Sequence, residues 1–228
     1  MKVLLFGATG MVGQGVLQEC LGDPGIESVV AIGRTATGVS DAKFREILRP
    51  DLFNYSDIEP ELTGFDACFF CLGVSSAGMS QVDYHNLTYT LTLAAAETLA
   101  RLNPGMTFIY VSGTGTDSSE KGPVMWARVK GRTENALLRL RFKAAYMFRP
   151  GIIEPVHGEK SKTDAYRIGY FLAKPFLPLL RGFLPDRVVT TEELAVAMIR
   201  VAREGFPKKI LESADIGKCA RAPGAAPL

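Results

Sequence analysis

The chain has 228 residues, 47% of them hydrophobic, and its 26 basic and 24 acidic side chains leave a net charge of +2. That length suits one α/β domain with a modest appendage, and that apolar content excludes a largely disordered chain. The balanced charge gives no reason to expect nucleic acid or an acidic membrane surface as a partner.

The first residues, Lys2-Val-Leu-Leu-Phe6, have the length and composition of a buried parallel strand. They lead straight into Gly7-Ala-Thr-Gly10-Met-Val-Gly13, after which Val16, Leu17 and Leu21 recur at helical spacing. Strand, glycine turn and helix in that order form a dinucleotide cradle. The backbone of Gly7, Thr9, Gly10, Met11, Val12 and Gly13 can approach a pyrophosphate, and the helix N-terminus offers free N–H groups. The alternative is a turn that merely lets strand and helix pack closely. Because the chain enters this strand at once, without a cleavage region, no signal peptide is expected.

Residues 27–32 predict a second strand, ending at Gly33-Arg34. About 20 residues past the glycine turn, an acid would hold a ribose 2′-hydroxyl, whereas an arginine suits a 2′-phosphate. Arg34 therefore points to NADP(H); otherwise it is a solvated loop arginine. Residues 35–43 read as a loop and residues 44–48 as a third strand. Asp51 and Leu52 follow, placed to pass an adenine ring unless Asp51 is a turn residue.

Residues 65–71 predict a fourth strand, closing in Leu72-Gly73 beside the cofactor, with a small-residue loop over 74–80. A helix over 83–101 carries Leu87, Leu91, Ala94, Ala95 and Leu99 on one side and ends at Asn103-Pro104-Gly105. Thr107-Phe-Ile-Tyr-Val111 is a fifth strand, followed by Ser112, a Gly/Ser/Thr-rich loop, and a helix over 124–141 with Trp126 and Lys130 near its start. Residues 144–148 form a sixth strand, before Arg149-Pro150-Gly151. Beyond lies a Pro-broken apolar stretch, 168–184, too interrupted to span a membrane. It is expected to line a pocket, bury itself or pair two copies as a homodimer. A helix over 191–202, capped by Thr191, and a short strand over 209–211 complete the series. The tail from Gly217 to residue 228 reads as mobile.

Four cysteines without a leader fit a reducing compartment, so a cytoplasmic location is expected. Cys68 and Cys71 form a C-x-x-C, but they sit on a strand, where side chains three apart face opposite ways. Buried thiols are expected rather than a redox pair, and no metal site. The expected fold is a Rossmann-like doubly wound parallel sheet of about seven strands, with residues 1–151 as the NAD(P)-binding core and 152–216 as a small C-terminal lobe of the same domain.

Gly7-x-x-Gly10-x-x-Gly13, Arg34, Asn86-Leu-Thr-x-Thr90, Tyr110-Val-Ser112, Lys130 and Arg149-Pro150-Gly151 occur in the order found in the short-chain dehydrogenase/reductase superfamily. Across residues 1–151 the chain resembles its extended and atypical, epimerase/dehydratase-like branch. The length and the Leu211-Glu-Ser-Ala-Asp-Ile216 ending are similar to those of the small Tat-interacting-protein-like oxidoreductases. The resemblance implies a proton relay at Asn86, an oxygen-orienting hydroxyl at Ser112, a ribose-binding lysine at Lys130, and a catalytic tyrosine four residues before it.

That position holds Trp126, whose indole N–H donates a hydrogen bond but has no usable acidity near neutral pH. Tyr84, His85 and Lys130 itself are candidate substitutes. The resemblance implies an NADP(H)-dependent oxidoreductase acting on a small carbonyl or enone substrate. The alternatives are a non-catalytic NADP(H)-binding sensor or interaction protein and, third, a nucleotide-sugar epimerase or dehydratase.

Overall fold

Six runs of the first 150 residues become strands of one parallel sheet: β1 (Lys2–Phe6), β2 (Ser28–Gly33), β3 (Phe44–Leu48), β4 (Ala67–Phe70), β5 (Thr107–Val111) and β6 (Ala144–Arg149). The computed structural model describes residues 1–156, 158 and 186–222. The sheet order is β3-β2-β1-β4-β5-β6, and a late strand, β9 (Ile210–Glu212), adds to the β6 edge. Val3 of β1 pairs with Val29 on one side and Ala67 on the other, which sets the register of the central three strands. The chain therefore runs outward from β1 in one direction and then in the other. The order reverses between β1 and β4, and in open α/β sheets ligands bind at the carboxyl ends beside such a reversal.

Strands covered on both faces read as continuous apolar runs, and β4, Ala-Cys-Phe-Phe, is buried at all four positions. Two apolar clusters lie on opposite faces of the sheet. One joins Val3, Leu5, Phe69 and Phe148 to helices α1 (Met11–Gly22), α5 (Thr191–Glu204) and α6 (Ser213–Arg221). The other joins Leu4, Phe6, Phe70 and Phe108 to α3 (Leu91–Leu102) and to Leu137 of α4 (Met125–Leu137). Phe6, Phe70 and Phe108 stack in series, with centroids 5.0 and 5.9 Å apart. Each fully buried phenylalanine contributes about 1.5–3 kcal/mol, so these rings anchor the middle of the sheet.

Cys68 lies in one cluster and Cys71 packs against the other, as residues three apart on a strand must. Burial raises the pKa of both thiols, and of Cys20, and keeps them protonated. All four cysteines are free. Among the described residues no cluster of histidine, cysteine and carboxylate side chains has the makings of a metal site.

The single helix expected over 83–101 is divided. A short α2 (Gln81–His85), capped by the Ser80 hydroxyl, passes through a π turn at Asn86–Thr90 into α3. The helix carrying Lys130 ends at Leu137, four residues before the expected position.

Further along, β7 (Ile152–Glu154) and β8 (Val188–Thr190) pair with each other outside the main sheet. The cap of α5 is Thr190 rather than Thr191: its hydroxyl accepts the Glu193 N–H at 2.9 Å, and Glu193 returns to the Thr190 N–H at 3.0 Å. Thr191 is instead fully buried. The tail expected from Gly217 is corrected as well, because α6 continues through Gly217 to Arg221 with Ile216 and Cys219 buried. His157, the apolar 168–184 stretch and residues 223–228 lie outside the described residues. No described helix is long and apolar enough to cross a membrane.

Candidate functional site

A crevice of about 1010 Å³ runs across the carboxyl ends of the strands. Of the candidate cofactor residues, Gly7, Thr9, Gly10, Met11, Val12, Arg34, Leu52, Leu72, Gly73, Lys130, Pro150 and Gly151 all line it. Ser112 and Trp126 do so too. Residues far apart in sequence thus meet along one groove, ordered by the sheet: Arg34 after β2, the glycine turn after β1, Leu72 and Gly73 after β4, and Ser112 after β5.

The glycine turn has distinct reasons at each step. Gly7 takes φ +82°, and a β-carbon there would come within 2.7 Å of the Cys71 and Leu72 backbone. One at Gly13 would lie 2.0 Å from the Gly7 carbonyl oxygen. Gly13 therefore lets α1 close onto the turn and does not itself line the crevice. A β-carbon at Gly10 would meet only the Gly7 oxygen, at 3.4 Å. Packing does not exclude a side chain there, and its absence leaves bare backbone on the crevice floor. No side chain caps α1, and its first turn holds no acidic residue. This end of the helix offers unopposed N–H groups and a partial positive charge, which fits an anion.

At one end, Arg34 is exposed, and among the described residues nothing pairs with its guanidinium. Thr35, Thr37 and Glu46 complete this end. Glu46 accepts the Thr37 N–H at 2.8 Å, so the loop following Arg34 is tied to β3. Leu52 is held by Tyr55, whose hydroxyl donates to the Leu52 carbonyl at 2.8 Å. Asp51 does not line the crevice. Its carboxylate accepts the Phe53 N–H at 2.7 Å, which makes it the turn residue of its loop.

At the other end, α4 presents Trp126 and Lys130 four residues apart on one face. Gly131 lets this helix lie against the preceding loop: a β-carbon there would be 1.8 Å from the Asp117 carbonyl oxygen. The Asp117 N–H donates to the Ala127 carbonyl at 3.0 Å and fastens the same contact. Gly115 passes under the indole, where a β-carbon would lie 3.3 Å from Trp126 Cη2. The Lys130 ammonium donates a short hydrogen bond to the Ser112 carbonyl oxygen. Burial lowers the Lys130 pKa to about 8, against an opposing pull from Glu134.

Ser112 departs from its expected role. Its hydroxyl faces inward, 2.5 Å from a Glu134 carboxylate oxygen and 3.2 Å from the Phe148 carbonyl, so that proton is committed, and what Ser112 offers Lys130 is its carbonyl. The nearby hydroxyl on the crevice wall belongs to Thr114, which donates to the Arg149 carbonyl at 3.0 Å. Asn86 is not brought to the site: it is exposed at the start of the π turn and does not line the crevice. Tyr84 is buried and hydrogen-bonded to Thr88, and His85 stacks on Tyr89 at 4.8 Å. Neither lines the crevice, and burial and Arg132 lower the His85 pKa. Thr35, Thr37, Glu46 and Thr114 escape a sequence reading. The polar run after Arg34 was a signal for the first two; Glu46 and Thr114 owe their places to strand pairing and loop folding.

No family model matches the chain. Among curated proteins it is 27% identical over 187 residues to protein HTATIP2 of Rattus norvegicus, covering 81% of this chain and 72% of that one. It is 25% identical over 214 residues to protein FMP52-1, mitochondrial, of Scheffersomyces stipitis, covering 91% of each. Among solved structures, the Bordetella bronchiseptica enzyme WbmF in complex with NAD⁺ has a TM-score of 0.68 at 14% identity, covering 95% of this chain and 76% of that one. A UDP-glucose 4-epimerase has a TM-score of 0.69 at 16% identity, covering 96% and 80%. The chain thus shares the Rossmann-like fold of these solved structures and is similar in sequence to HTATIP2 and FMP52 proteins, in line with the short-chain resemblance.

Proposed function

We propose that this chain is an atypical short-chain dehydrogenase/reductase that binds NADP(H) and acts as an oxidoreductase on a small carbonyl or enone substrate. The observation that carries the reading is the single crevice in which an unpaired Arg34, a bare glycine turn and a half-buried Lys130 follow one another along the sheet edge. The WbmF structure in complex with NAD⁺ supports a nicotinamide dinucleotide here, and the preference for NADP(H) rests on Arg34 alone.

Each residue has a task set by its chemistry. The N–H groups at the start of α1 face the pyrophosphate. The Arg34 guanidinium pairs with a 2′-phosphate, for which its planar fork is suited. Leu52 gives the adenine an apolar contact. The Lys130 ammonium, already directed by the Ser112 carbonyl, has further N–H bonds for the nicotinamide ribose. The bound cofactor supplies hydride. Trp126 orients the substrate oxygen by donating a hydrogen bond, and it cannot deliver a proton.

Calorimetry tests the cofactor. NADPH should bind more tightly than NADH, and Arg34→Ala should cost about tenfold for NADPH alone, in line with the ~1.5–3 kcal/mol of a hydrogen bond to a charged group. Equal affinities, unaffected by Arg34→Ala, would sink the NADP(H) assignment.

Trp126 also favours a second reading, a protein that holds NADP(H) without turning it over. A panel of carbonyl substrates with NADPH separates the two. Slow turnover by wild type, raised about 10²-fold or more in Trp126→Tyr, is expected when a general acid is restored to an oxidoreductase. Wild-type inertness across the panel, with NADPH bound, supports the sensor.

A further inference from the structure

Glu134 stands four residues beyond Lys130 on the same face of α4, and its side chain is wholly buried. Its carboxylate is held from two strands. The Ser112 hydroxyl at the end of β5 donates to Oε1 at 2.5 Å. Arg149 at the end of β6 donates through Nε to both oxygens, at 3.0 and 3.2 Å, and through Nη2 to Oε2. Arg149 is itself nearly buried, and it reaches the Ser118 hydroxyl at 2.5 Å and Glu212 of β9 at 3.4 Å. One carboxylate therefore joins α4, β5 and β6 directly and β9 through Arg149.

A buried ion pair is seldom a source of net stability, because the desolvation of both charges offsets their attraction. Its value lies in position. Here the positioned group is Ser112, which has all three of its polar groups engaged. The N–H donates to the Phe148 carbonyl at 2.8 Å, the hydroxyl donates to Glu134, and the carbonyl accepts from Lys130. We propose that Glu134 is the positioning residue of the Lys130 site: it clamps the Ser112 hydroxyl and so fixes the carbonyl oxygen that holds the Lys130 ammonium in the crevice. The assignment rests on the reading of that crevice as a dinucleotide site.

The charged and titratable groups around this end are Glu134 on α4, Arg149 on β6 with Glu212 beyond it on β9, Tyr110 on β5 and Tyr84 on α2. Burial keeps both phenols protonated, Tyr110 strongly so. Glu134 is the charge that favours the Lys130 ammonium, against the burial that disfavours it. Its removal lowers the pH at which Lys130 loses its proton.

The test is the titration of the Lys130 amine in cofactor-free protein, followed by NMR of isotope-labelled lysine and assigned by the signal missing in Lys130→Arg. Wild type should titrate near pH 8. Glu134→Gln combined with Arg149→Met removes both charges at similar volume, so that no buried charge is left alone. Its Lys130 should titrate at lower pH than wild type, with the loss of the Arg149 cation offsetting part of the lost Glu134 charge. Glu134→Asp, which keeps the charge, should restore the wild-type titration. Ser112→Ala cuts the link and keeps the ion pair; it should weaken NADPH binding about fivefold by calorimetry, the order expected for one lost hydrogen bond. A folded double variant with the wild-type titration, or Ser112→Ala with wild-type NADPH affinity, overturns the proposal. Failure of wild type to bind NADPH instead overturns the cofactor assignment, and the amine titration still decides whether Glu134 governs Lys130.

Discussion

The two ends of the crevice are built by different means. The glycine-turn end is backbone: bare N–H groups and close approaches that no side chain obstructs, with Arg34 added at the rim. The Lys130 end is an assembly of side chains. Ser112 and Glu134 are 22 residues apart, Arg149 and Glu134 15 apart, and Arg149 and Glu212 63 apart. Phosphates need only N–H groups and positive charge, so seven residues of local pattern suffice to hold them. Placing an ammonium to within hydrogen-bond tolerance needs a frame that crosses several elements, and here that frame is ionic and buried. The consequence is a division of vulnerability: one end fails by crowding, the other by loss of charge balance.

The largest effect expected follows from that division. Arg149→Met leaves the Glu134 carboxylate buried without its cation, and breaking a buried pair on one side costs about 3–5 kcal/mol. Urea unfolding at neutral pH measures it. The Glu134→Gln/Arg149→Met double variant should recover most of that loss, since no uncompensated charge remains. A single variant that loses under ~1 kcal/mol, the range of surface pairs, would show that the frame is not ionic in the sense argued, and the contrast between the ends would collapse.

The same contrast explains what can be read from sequence. The glycine turn, the strands and Arg34 are legible because each depends on neighbours along the chain: an apolar run, a three-residue spacing, an arginine at a strand's end. Lys130 and Trp126 are legible through the resemblance, and the structure puts both on the crevice. The frame behind them is not. Nothing in the run Lys130-Gly-Arg-Thr-Glu134 marks its glutamate as buried, because the reason is Arg149 on a strand not yet formed. Ser112 shows the same limit. Its place at the end of β5 is readable, but the direction of its hydroxyl depends on Glu134. Asn86 rests on motif order alone, and the π turn leaves it exposed. Thr190 takes the cap from Thr191 for a reason as local as any, the Glu193 three residues on, and the capping box could have been read.

At the backbone end the corresponding variant is Gly13→Ala. Its methyl group would sit 2.0 Å from the Gly7 carbonyl oxygen, a backbone atom without a flexible side chain to yield. Overpacking typically costs about 1–3 kcal/mol, and the upper part of that range is expected. NADPH affinity should fall with it, because the displaced atom belongs to the cradle itself. Gly10→Ala provides the comparison: its methyl meets only an ordinary contact at 3.4 Å, so binding should suffer with little change in unfolding. Equal stability losses in the two variants would mean that both glycines serve packing alone.

A smaller effect separates the ends by pH. The folded-state pKa of Lys130 is lowered from 10.5 to about 8. Between those values the unfolded chain binds the extra proton, so this lysine's contribution to stability rises with pH across that window and is level below it. Buried Cys20, Cys68 and Tyr110 act oppositely, since their raised pKa values make the folded state the better proton binder once the unfolded chain begins to ionise. The measurement is therefore the difference between wild type and Lys130→Met, followed by urea unfolding from pH 7 to pH 11. Wild type should gain relative to the variant from about pH 8 upward. A difference curve that stays flat would place the Lys130 ammonium in solvent rather than in the frame.

The smallest effect lies away from both ends. Thr190→Ala removes the hydroxyl that caps α5 and leaves Glu193 half of its capping box. Loss of such a cap costs about 1 kcal/mol, and α5 packs on the sheet face that carries α1 rather than α4. Unfolding should therefore shift by that amount while the Lys130 titration and NADPH affinity stay at their wild-type values. This variant calibrates the others, because it tests whether a modest loss of global stability alone disturbs the crevice. Should Thr190→Ala weaken NADPH binding as much as Ser112→Ala does, the effects at the Lys130 end would reflect general loosening, and the division between a backbone-built end and a side-chain-built end would lose its experimental support.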